Sequence, residues 1–186
     1  MKTLTIALTA LVVSSQASAQ ELPNPQPTEA HKVLAAEEGT WDAAVKMYFQ
    51  GPTEPATEYE GVEVCKMVSG GLYSQSTFTC QMGDTEFEGH GLMGYDSRTK
   101  EYTGVWVDNF NTVPMPMNGT YDKEANSLTV HTTVVDENTG IELKQKQITT
   151  FVDDDTRTFV IYLLVEAGGE TQEIKLMEMT SKRREE

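Results

Sequence analysis

Asp108, Tyr95 and Tyr102 are the side chains of this sequence whose types and positions best suit acid–base chemistry. An aspartate can serve as a general base, with a phenol as its partner acid, when both lie in one enclosed site. The same carboxylate can instead accept hydrogen bonds from a backbone turn or anchor a polar group of a ligand. The two tyrosines can equally form a packed aromatic pair across a hairpin. The sequence leaves these alternatives open.

The sequence lacks the usual patterns for metal binding and nucleophilic catalysis. His31, His90 and His131 fall in different predicted elements, and no His-x-His or His-x-x-x-His spacing joins them. The run Asp153-Asp154-Asp155 lacks the alternating ligands of a calcium loop. There is also no Ser-His-Asp elbow, glycine-rich phosphate loop or zinc motif. We therefore expect no metal, no haem and no other cofactor.

Cys65 and Cys80 could form a disulfide in an oxidising compartment, but their expected spacing argues against it. A turn at Gly70-Gly71 places Cys65 opposite Ser76, which is four residues from Cys80 along the next strand. That offset is on the order of 13 Å at ~3.3 Å per residue, beyond the ~7 Å limit for the Cα atoms of a disulfide. A bulge in either strand would shorten the distance, so the bond stays an open alternative.

The acidic balance of the chain excludes several classes of partner. Its 186 residues include 14 Lys and Arg against 29 Asp and Glu, which gives a formal net charge of −15. Nucleic acids and anionic membrane surfaces are bound by local excesses of basic residues, so neither is an expected partner. Glu58, Glu60 and Glu63 are interpreted as part of a solvated acidic surface. The chain length suits one domain with a single core.

The first 19 residues have the features of a cleaved export signal. A lysine precedes an apolar stretch over residues 4–13, and Ala17-Ser18-Ala19 matches the small-x-small pattern that signal peptidase reads. The apolar stretch is too short to span a bilayer, which needs ~20 residues. We therefore predict cleavage between Ala19 and Gln20, export to the periplasm or beyond, and no membrane insertion.

The folded domain is predicted to cover residues 29–184. Residues 20–28 contain three prolines and are predicted to form a disordered leader. Thr28 can cap a short helix over residues 28–38, which Gly39 ends. Almost nothing later in the sequence resembles another helix.

After Gly39 the hydrophobic pattern changes to the two-residue alternation of strands. Ten such runs follow, separated by short turns. They cover approximately residues 41–49, 57–68, 72–82, 86–95, 102–110, 117–121, 128–136, 141–152, 158–166 and 170–180. Sequential strands with short links favour an antiparallel meander, and closing it into a barrel leaves no exposed edges. We predict an all-β fold, an up-and-down antiparallel barrel of about ten strands with one short N-terminal helix.

The alternation also predicts which side chains face the interior of the barrel. Gly89, Gly91 and Gly104 alternate with large aromatic residues, which indicates strong curvature or a small internal cavity. Phe49 and Phe110 are expected on inner faces as well. Six residues form the expected ligand-binding lining of the lumen: Phe78, Met93, Tyr95, Tyr102, Trp106 and Asp108.

Three segments carry a resemblance to a known family. They are Phe87-Glu88-Gly89-His90-Gly91, Gly94-Tyr95-Asp96 and Tyr102-Thr103-Gly104-Val105-Trp106-Val107-Asp108. Through them the chain resembles the bacterial family DUF1579, a domain of unknown function, over most of its length. This resemblance implies a calycin-type barrel and no particular reaction.

The two ends of the domain resemble the wider lipocalin-like, or calycin, arrangement. Gly39-Thr40-Trp41 opens the first strand, and Lys182-Arg183-Arg184 follows the last. The resemblance implies that Trp41 is a structural plug covered by a cationic side chain from the end of the chain, Arg183, in a cation–π contact. Ligand stacking is the alternative role for Trp41.

Three hypotheses for function follow. The first is an exported protein whose lumen binds a small apolar or amphipathic ligand. The second is a non-catalytic envelope interaction module with a solid core. The third is an enzyme that uses Asp108 with Tyr95 or Tyr102 in the lumen, which requires a cavity around the carboxylate. The sequence does not name a ligand, because one fold hosts many functions.

Overall fold

The computed structural model describes residues 24–136 and 139–185. The predicted export signal, its cleavage point and the first part of the leader lie outside these residues. One helix, α1, covers His31–Ala35, and a single 3₁₀ turn covers Ser69–Gly71. The ten strands are β1 Gly39–Met47, β2 Thr57–Val68, β3 Tyr73–Met82, β4 Thr85–Asp96, β5 Glu101–Asp108, β6 Met115–Asp122, β7 Ser127–Val135, β8 Glu142–Asp153, β9 Thr156–Ala167 and β10 Glu170–Arg183.

The sheet closes into a barrel. Each strand pairs in antiparallel fashion with its neighbours in sequence, and β1 also pairs with β10. The closing register places Trp41 opposite Arg183 and Met47 opposite Met177. Closure pairs both edge strands, and the period-two pattern gives each strand a face to bury inside. The predicted ten-stranded up-and-down barrel with one short helix is confirmed.

The connections between strands alternate between the two ends of the barrel. Four connections lie at the end covered by the helix, the α1 end, and five lie at the other end, which we call the mouth. The mouth connections, residues 48–56, 83–84, 109–114, 136–141 and 168–169, contain no Lys, Arg or His in their sequence. Arg98, Lys100 and Lys123 all lie in connections at the α1 end.

Helix α1 is shorter than the predicted helix over residues 28–38. Turns flank its five residues, and the backbone N–H of Thr28 donates to Nδ1 of His31 at 2.9 Å. So short a helix is not stable alone, because few hydrogen bonds repay its nucleation. It is held instead by Leu34, which is fully buried against the barrel.

The predicted hairpin registers are confirmed. Tyr95 pairs with Tyr102 across the β4–β5 hairpin, and Cys65 pairs with Ser76 across the β2–β3 hairpin. These registers follow from short turns, because the length of a turn fixes which residues face each other.

Cys65 and Cys80 are both free thiols. Cys65 pairs with Ser76, whereas Cys80 pairs with Gly61, so the two cysteines are offset by four residues along the β2–β3 ladder. Burial raises the pKa of both thiols. A thiol that stays protonated is a poor nucleophile, so neither cysteine has the properties of a catalytic group.

Phe49, expected on an inner face, instead follows the end of β1, and that expectation was wrong. Phe110 also follows the end of its strand, but its ring packs against inward-facing Phe87, with ring centroids 5.2 Å apart. Phe49 is 66% exposed and Phe110 is 50% exposed. A turn begins at Tyr48, whose carbonyl accepts the Gly51 N–H at 3.2 Å. The Asp108 carboxylate accepts the Phe110 N–H at 2.9 Å and turns the chain there. Hydrogen bonds within the turns therefore end the strand alternation before it reaches Phe49 in one strand and Phe110 in the other.

Gly119→Ala is expected to destabilise the barrel strongly. A Cβ at Gly119 would lie 1.9 Å from the carbonyl oxygen of Thr129, which cannot move without disturbing the β6–β7 ladder. We expect the free energy of unfolding to fall by ~3 kcal/mol or more, as for severe overpacking.

Gly94→Ala is the matched control, because the nearest atoms to a Cβ there all belong to the Tyr73 ring, the closest at 2.6 Å, and this side chain is 43% exposed and can rotate away. Its cost should stay below ~1 kcal/mol. Urea unfolding of both variants measures the difference, and equal losses would contradict the packing argument.

Candidate functional site

Interior side chains form two apolar clusters, one towards each end of the barrel. The α1-end cluster consists of Leu34, Tyr102, Leu128, Val130 and Phe151, and Met93 and Tyr95 pack against it. The mouth cluster consists of Ala43, Val45, Phe78, Cys80 and Met179, and Trp106 packs against it. The structure therefore divides the six-residue lining expected from sequence. Met93, Tyr95 and Tyr102 lie with the α1-end cluster, whereas Phe78 and Trp106 lie in the mouth cluster and Asp108 ends β5 beside it.

Trp106 lies flat against the barrel wall, where two glycines make room for it. A Cβ on Gly89 would be 2.2 Å from the indole Cζ2, and a Cβ on Gly91 would be 3.3 Å from Cε3. The indole N–H donates to Oδ2 of Asp108 at 3.0 Å, which fixes the orientation of the ring. The alternation of glycine with large aromatic residues thus seats the indole against the wall.

Asp108 is a hydrogen-bond acceptor for the turn that follows β5. Its Oδ1 accepts the backbone N–H groups of Phe110 and Asn111, both at 2.9 Å, and Nδ2 of Asn111 at 2.8 Å. With the bond from Trp106, the carboxylate accepts four hydrogen bonds. This number matches the lone-pair capacity of a carboxylate.

Tyr95 and Tyr102 form an aromatic pair beneath α1, with ring centroids 5.1 Å apart. The Tyr102 hydroxyl donates to the Ala30 carbonyl at 2.8 Å. Burial, with a smaller effect of Tyr95, raises the pKa of Tyr102 to about 12. Tyr102 is ~20 Å from Asp108 along β5, at ~3.3 Å per residue. The structure does not bring together the carboxylate and the phenols that acid–base chemistry would require.

Inward-facing side chains near the mouth are only partly buried. They are rich in methionine and aromatic residues: Met47, Tyr59, Met82, Phe87, Trp106, Phe159 and Met177. Deeper inward positions such as Trp41 and Val45 are each 1% exposed. Apolar side chains that face inward and still retain exposure form a wall that a ligand can reach. We call these seven residues the mouth wall.

Trp41 closes the α1 end of the barrel. The guanidinium carbons of Arg157 and Arg183 lie 4.2 Å and 4.1 Å from the indole centroid. Two guanidinium groups cannot share one face of an indole at that distance, so the ring is stacked between them. The indole N–H donates to the Glu37 carbonyl at 2.8 Å. The contact with Arg183 that the calycin resemblance implied is present, and Arg157 adds a second one.

Arg157 is 4% exposed and is paired with carboxylates inside the barrel. Its NH2 group lies 2.6 Å from Oε2 of Glu63, and its NH1 group lies 3.9 Å from Oε1 of Glu37. A buried guanidinium needs such partners, because an uncompensated charge in the interior is strongly destabilising. The expectation that Glu63 belongs to a solvated surface was wrong, since Glu63 pairs with Trp41 in register and turns inward.

Sequence analysis missed Arg157 and misplaced Glu63, although the strand alternation contains a signal for both. Arg157, Phe159 and Ile161 share one face of β9, so the cation begins an otherwise apolar inner face. Glu63 has the opposite parity to Glu58 and Glu60, which are exposed. An inward charge of each sign on the inner faces of a barrel predicts a buried ion pair.

Glu37 lies between α1 and β1 and faces the same buried charges. Its Oε2 accepts a hydrogen bond from the Ser74 hydroxyl at 3.4 Å. Burial raises the pKa of Glu37 to about 7, against the opposing effect of Arg157 and with a further rise from Glu63. The carboxyl group therefore changes charge near neutral pH in the folded protein.

Glu37→Gln should weaken the pH dependence of stability. The folded-state pKa of about 7 exceeds the ordinary 4.5, so the stabilisation is complete below pH 4.5 and is lost as the pH rises through 7. From pH 5 to pH 8 the wild type should lose roughly 3 kcal/mol relative to this variant, whose amide does not titrate. Urea unfolding at both pH values measures the loss.

Glu38→Gln, which changes an exposed neighbouring glutamate, is the control and should keep the wild-type pH profile. A Glu37→Gln profile parallel to that of the wild type would contradict the raised pKa.

Among residues 24–136 and 139–185, no group of three or more His, Cys, Asp or Glu side chains is placed to hold a metal ion. Within the same ranges, no helix has the length and apolar character needed to cross a membrane.

Comparison with known proteins gives a family and a fold. The sequence model of the family described as Protein of unknown function (DUF1579) matches residues 26–183. No curated protein matches the sequence. Among solved structures, an S-type phycobiliprotein lyase from Guillardia theta is similar, with a TM-score of 0.60, 10% sequence identity and coverage of 86% of this chain and 94% of that chain. At this identity the likeness concerns the fold alone, and it confirms the expected calycin-like barrel.

Proposed function

This chain belongs to the DUF1579 family, and on that premise we propose that it is an exported protein that binds a small apolar or amphipathic molecule inside its barrel. The molecule enters at the mouth and lies against the mouth wall and the neighbouring Phe78. Trp41 keeps the α1 end closed. The family description assigns no activity, so the proposal rests on the interior of this barrel.

The observation that carries the proposal is the partial exposure of the mouth wall. Its methionine and aromatic side chains face inward yet are less buried than the residues beneath them. Covering such surface with an apolar ligand is favourable by ~25 cal/mol per Å². Methionine side chains are also flexible enough to adapt to ligands of different shape.

Exposed apolar residues also lie in the mouth connections. Phe49, Phe110, Val113 and Ile141 are 66%, 50%, 47% and 57% exposed. They extend the apolar surface outward from the mouth wall, because the connections that hold them lie at that end. An apolar ligand would therefore meet compatible surface before it enters the lumen.

Binding is favoured over catalysis by the state of Asp108. Its carboxylate is fully engaged in hydrogen bonds, and the tyrosines that could assist it belong to the other cluster. At 10% identity, the similar phycobiliprotein lyase assigns no ligand to this chain. The ligand class therefore follows from the mouth wall alone.

Quenching of tryptophan fluorescence by 11-bromo-1-undecanol, an amphipathic probe with a heavy-atom quencher on its tail, tests the proposal. The protein has two tryptophans. Trp106 lies in the mouth wall, whereas Trp41 is 1% exposed and stacked between two arginines. Saturable quenching is expected in the wild type, and most of it should be lost in Trp106→Phe, whose remaining tryptophan is the buried one.

Native mass spectrometry of the same mixture should show one bound probe per chain. Circular dichroism of Trp106→Phe controls for loss of the fold. Absence of saturable quenching and of a bound-probe mass in the wild type would overturn the proposal and favour a barrel with a solid core.

Export is tested by the N-terminus of the mature protein. Expression of the full chain in a bacterium that has a periplasm should give a product that begins at Gln20 in the periplasmic or secreted fraction. Ala17→Leu together with Ala19→Leu, which removes the small residues read by signal peptidase, should leave the uncleaved chain in the membrane fraction. A wild-type product that keeps Met1 in the cytoplasm would contradict export.

A further inference from the structure

A surface groove lies at the α1 end of the barrel and is lined in part by side chains of the α1-end cluster. It has a volume of about 910 Å³ and lies between α1 and the connections that end the neighbouring strands. Tyr95, Tyr121 and Phe151 contribute aromatic side chains to its lining, and Val33 of α1 faces them. The volume lies within the range of sites that bind small molecules. Because Trp41 closes this end of the lumen, a ligand in the groove is separate from one at the mouth.

Two lysines of the groove have no acidic partner. The structure describes 13 of the 14 Lys and Arg, since Lys2 lies outside the described residues. Eight of the 13 form ion pairs. The five described lysines without an ion pair are Lys66, Lys100, Lys123, Lys144 and Lys182. Lys100 and Lys123 both line the groove, from neighbouring connections.

The acidic side of the groove is only partly paired within the protein. Asp155 pairs with Arg183 at 3.3 Å, and Asp153 accepts the backbone N–H of Asp155 at 2.9 Å. Glu29 pairs with Lys32 at 2.9 Å. Asp153 and Asp154 retain exposed carboxylates without an ion pair. The groove therefore presents two unpaired lysines at one side and two unpaired aspartates at the other.

We propose that this groove binds a small aromatic carboxylate. The ring of the ligand stacks on the tyrosine and phenylalanine side chains, and its carboxylate faces Lys100 and Lys123, away from Asp154. Aromatic surface next to unpaired ammonium groups suits such a molecule. The aromatic side chains stack on the ring of the ligand, and the ammonium groups attract its carboxylate at the same time. In a chain with a net charge of −15, this groove is where an anion meets unpaired lysines together with aromatic surface.

Three probes with the same ring system and different charge test the proposal: 1-naphthylacetate, 2-(1-naphthyl)ethanol and 2-(1-naphthyl)ethylamine. Isothermal titration at low salt should give the tightest binding for the carboxylate, weaker binding for the alcohol and the weakest for the amine. Binding of the carboxylate should weaken as salt is raised, because the groove charges are exposed.

Lys100→Gln combined with Lys123→Gln should weaken binding of 1-naphthylacetate by roughly fivefold or more and leave binding of the alcohol nearly unchanged. Lys66→Gln combined with Lys144→Gln is the matched control. It removes the same net charge from two other unpaired lysines that do not line the groove, and it should change binding by less than about twofold. Asp154→Asn should tighten binding of the carboxylate.

Equal affinity for the carboxylate in the wild type and the Lys100 and Lys123 double variant would overturn the proposal. So would tighter binding of the amine, or no binding of any probe. Binding of 11-bromo-1-undecanol at the mouth should be the same in both double variants, so failure at the groove is distinguishable from failure at the mouth.

Discussion

The stacking of Trp41 between two guanidinium groups is the interaction on which the rest of the barrel depends. It joins β1, which provides the indole, to β9 and β10, which provide Arg157 and Arg183. Arg183 also donates to the carbonyl oxygens of Ala36, Glu38 and Asp154. One aromatic ring thus secures the junction of the first and last strands, the segment after α1 and the β8–β9 turn.

Burying a guanidinium there has consequences for the charges around it. Arg157 is out of reach of bulk water, so Glu63 must turn inward to balance it, and Glu37 completes the group. Two carboxylates next to one cation cannot both be ionised at low cost, and burial raises the pKa of Glu37, which lies 3.9 Å from the guanidinium. The buried ion pairs of Arg157 therefore lie at the closed end, whereas methionine and aromatic side chains line the mouth.

Most of the fold could be predicted from the sequence, because the signals that define it are local. The two-residue alternation marked all ten strands, and short turns, such as residues 97–100 between Tyr95 and Tyr102, fixed the registers. The strand ends near Phe49 and Phe110 could not be predicted, because hydrogen bonds within the turns end the alternation there. The helix was predicted too long, since tertiary contacts of Leu34 decide its extent.

The candidate sites were predicted less completely. The alternation correctly predicted the inner faces for Phe78, Tyr95, Tyr102 and Trp106. It does not indicate how far along the barrel axis each of these side chains lies. Depth depends on the tilt and stagger of the strands, which separate residues of one face into two clusters. Lys100 and Lys123 gave no sequence signal, because what distinguishes them is the lack of an acidic neighbour in space.

Among the connections between strands, only those at the α1 end contain basic residues, so the two ends of the barrel differ in charge. The mouth connections contain acidic but no basic residues in their sequence. A charged surface that approaches the protein would therefore exert a torque before any atoms touch, since long-range fields act over about a Debye length, ~8 Å at physiological salt. Encounters with a negatively charged body would favour collisions in which the lumen opening points away, so orientation in solution is partly set by which loops carry lysine and arginine.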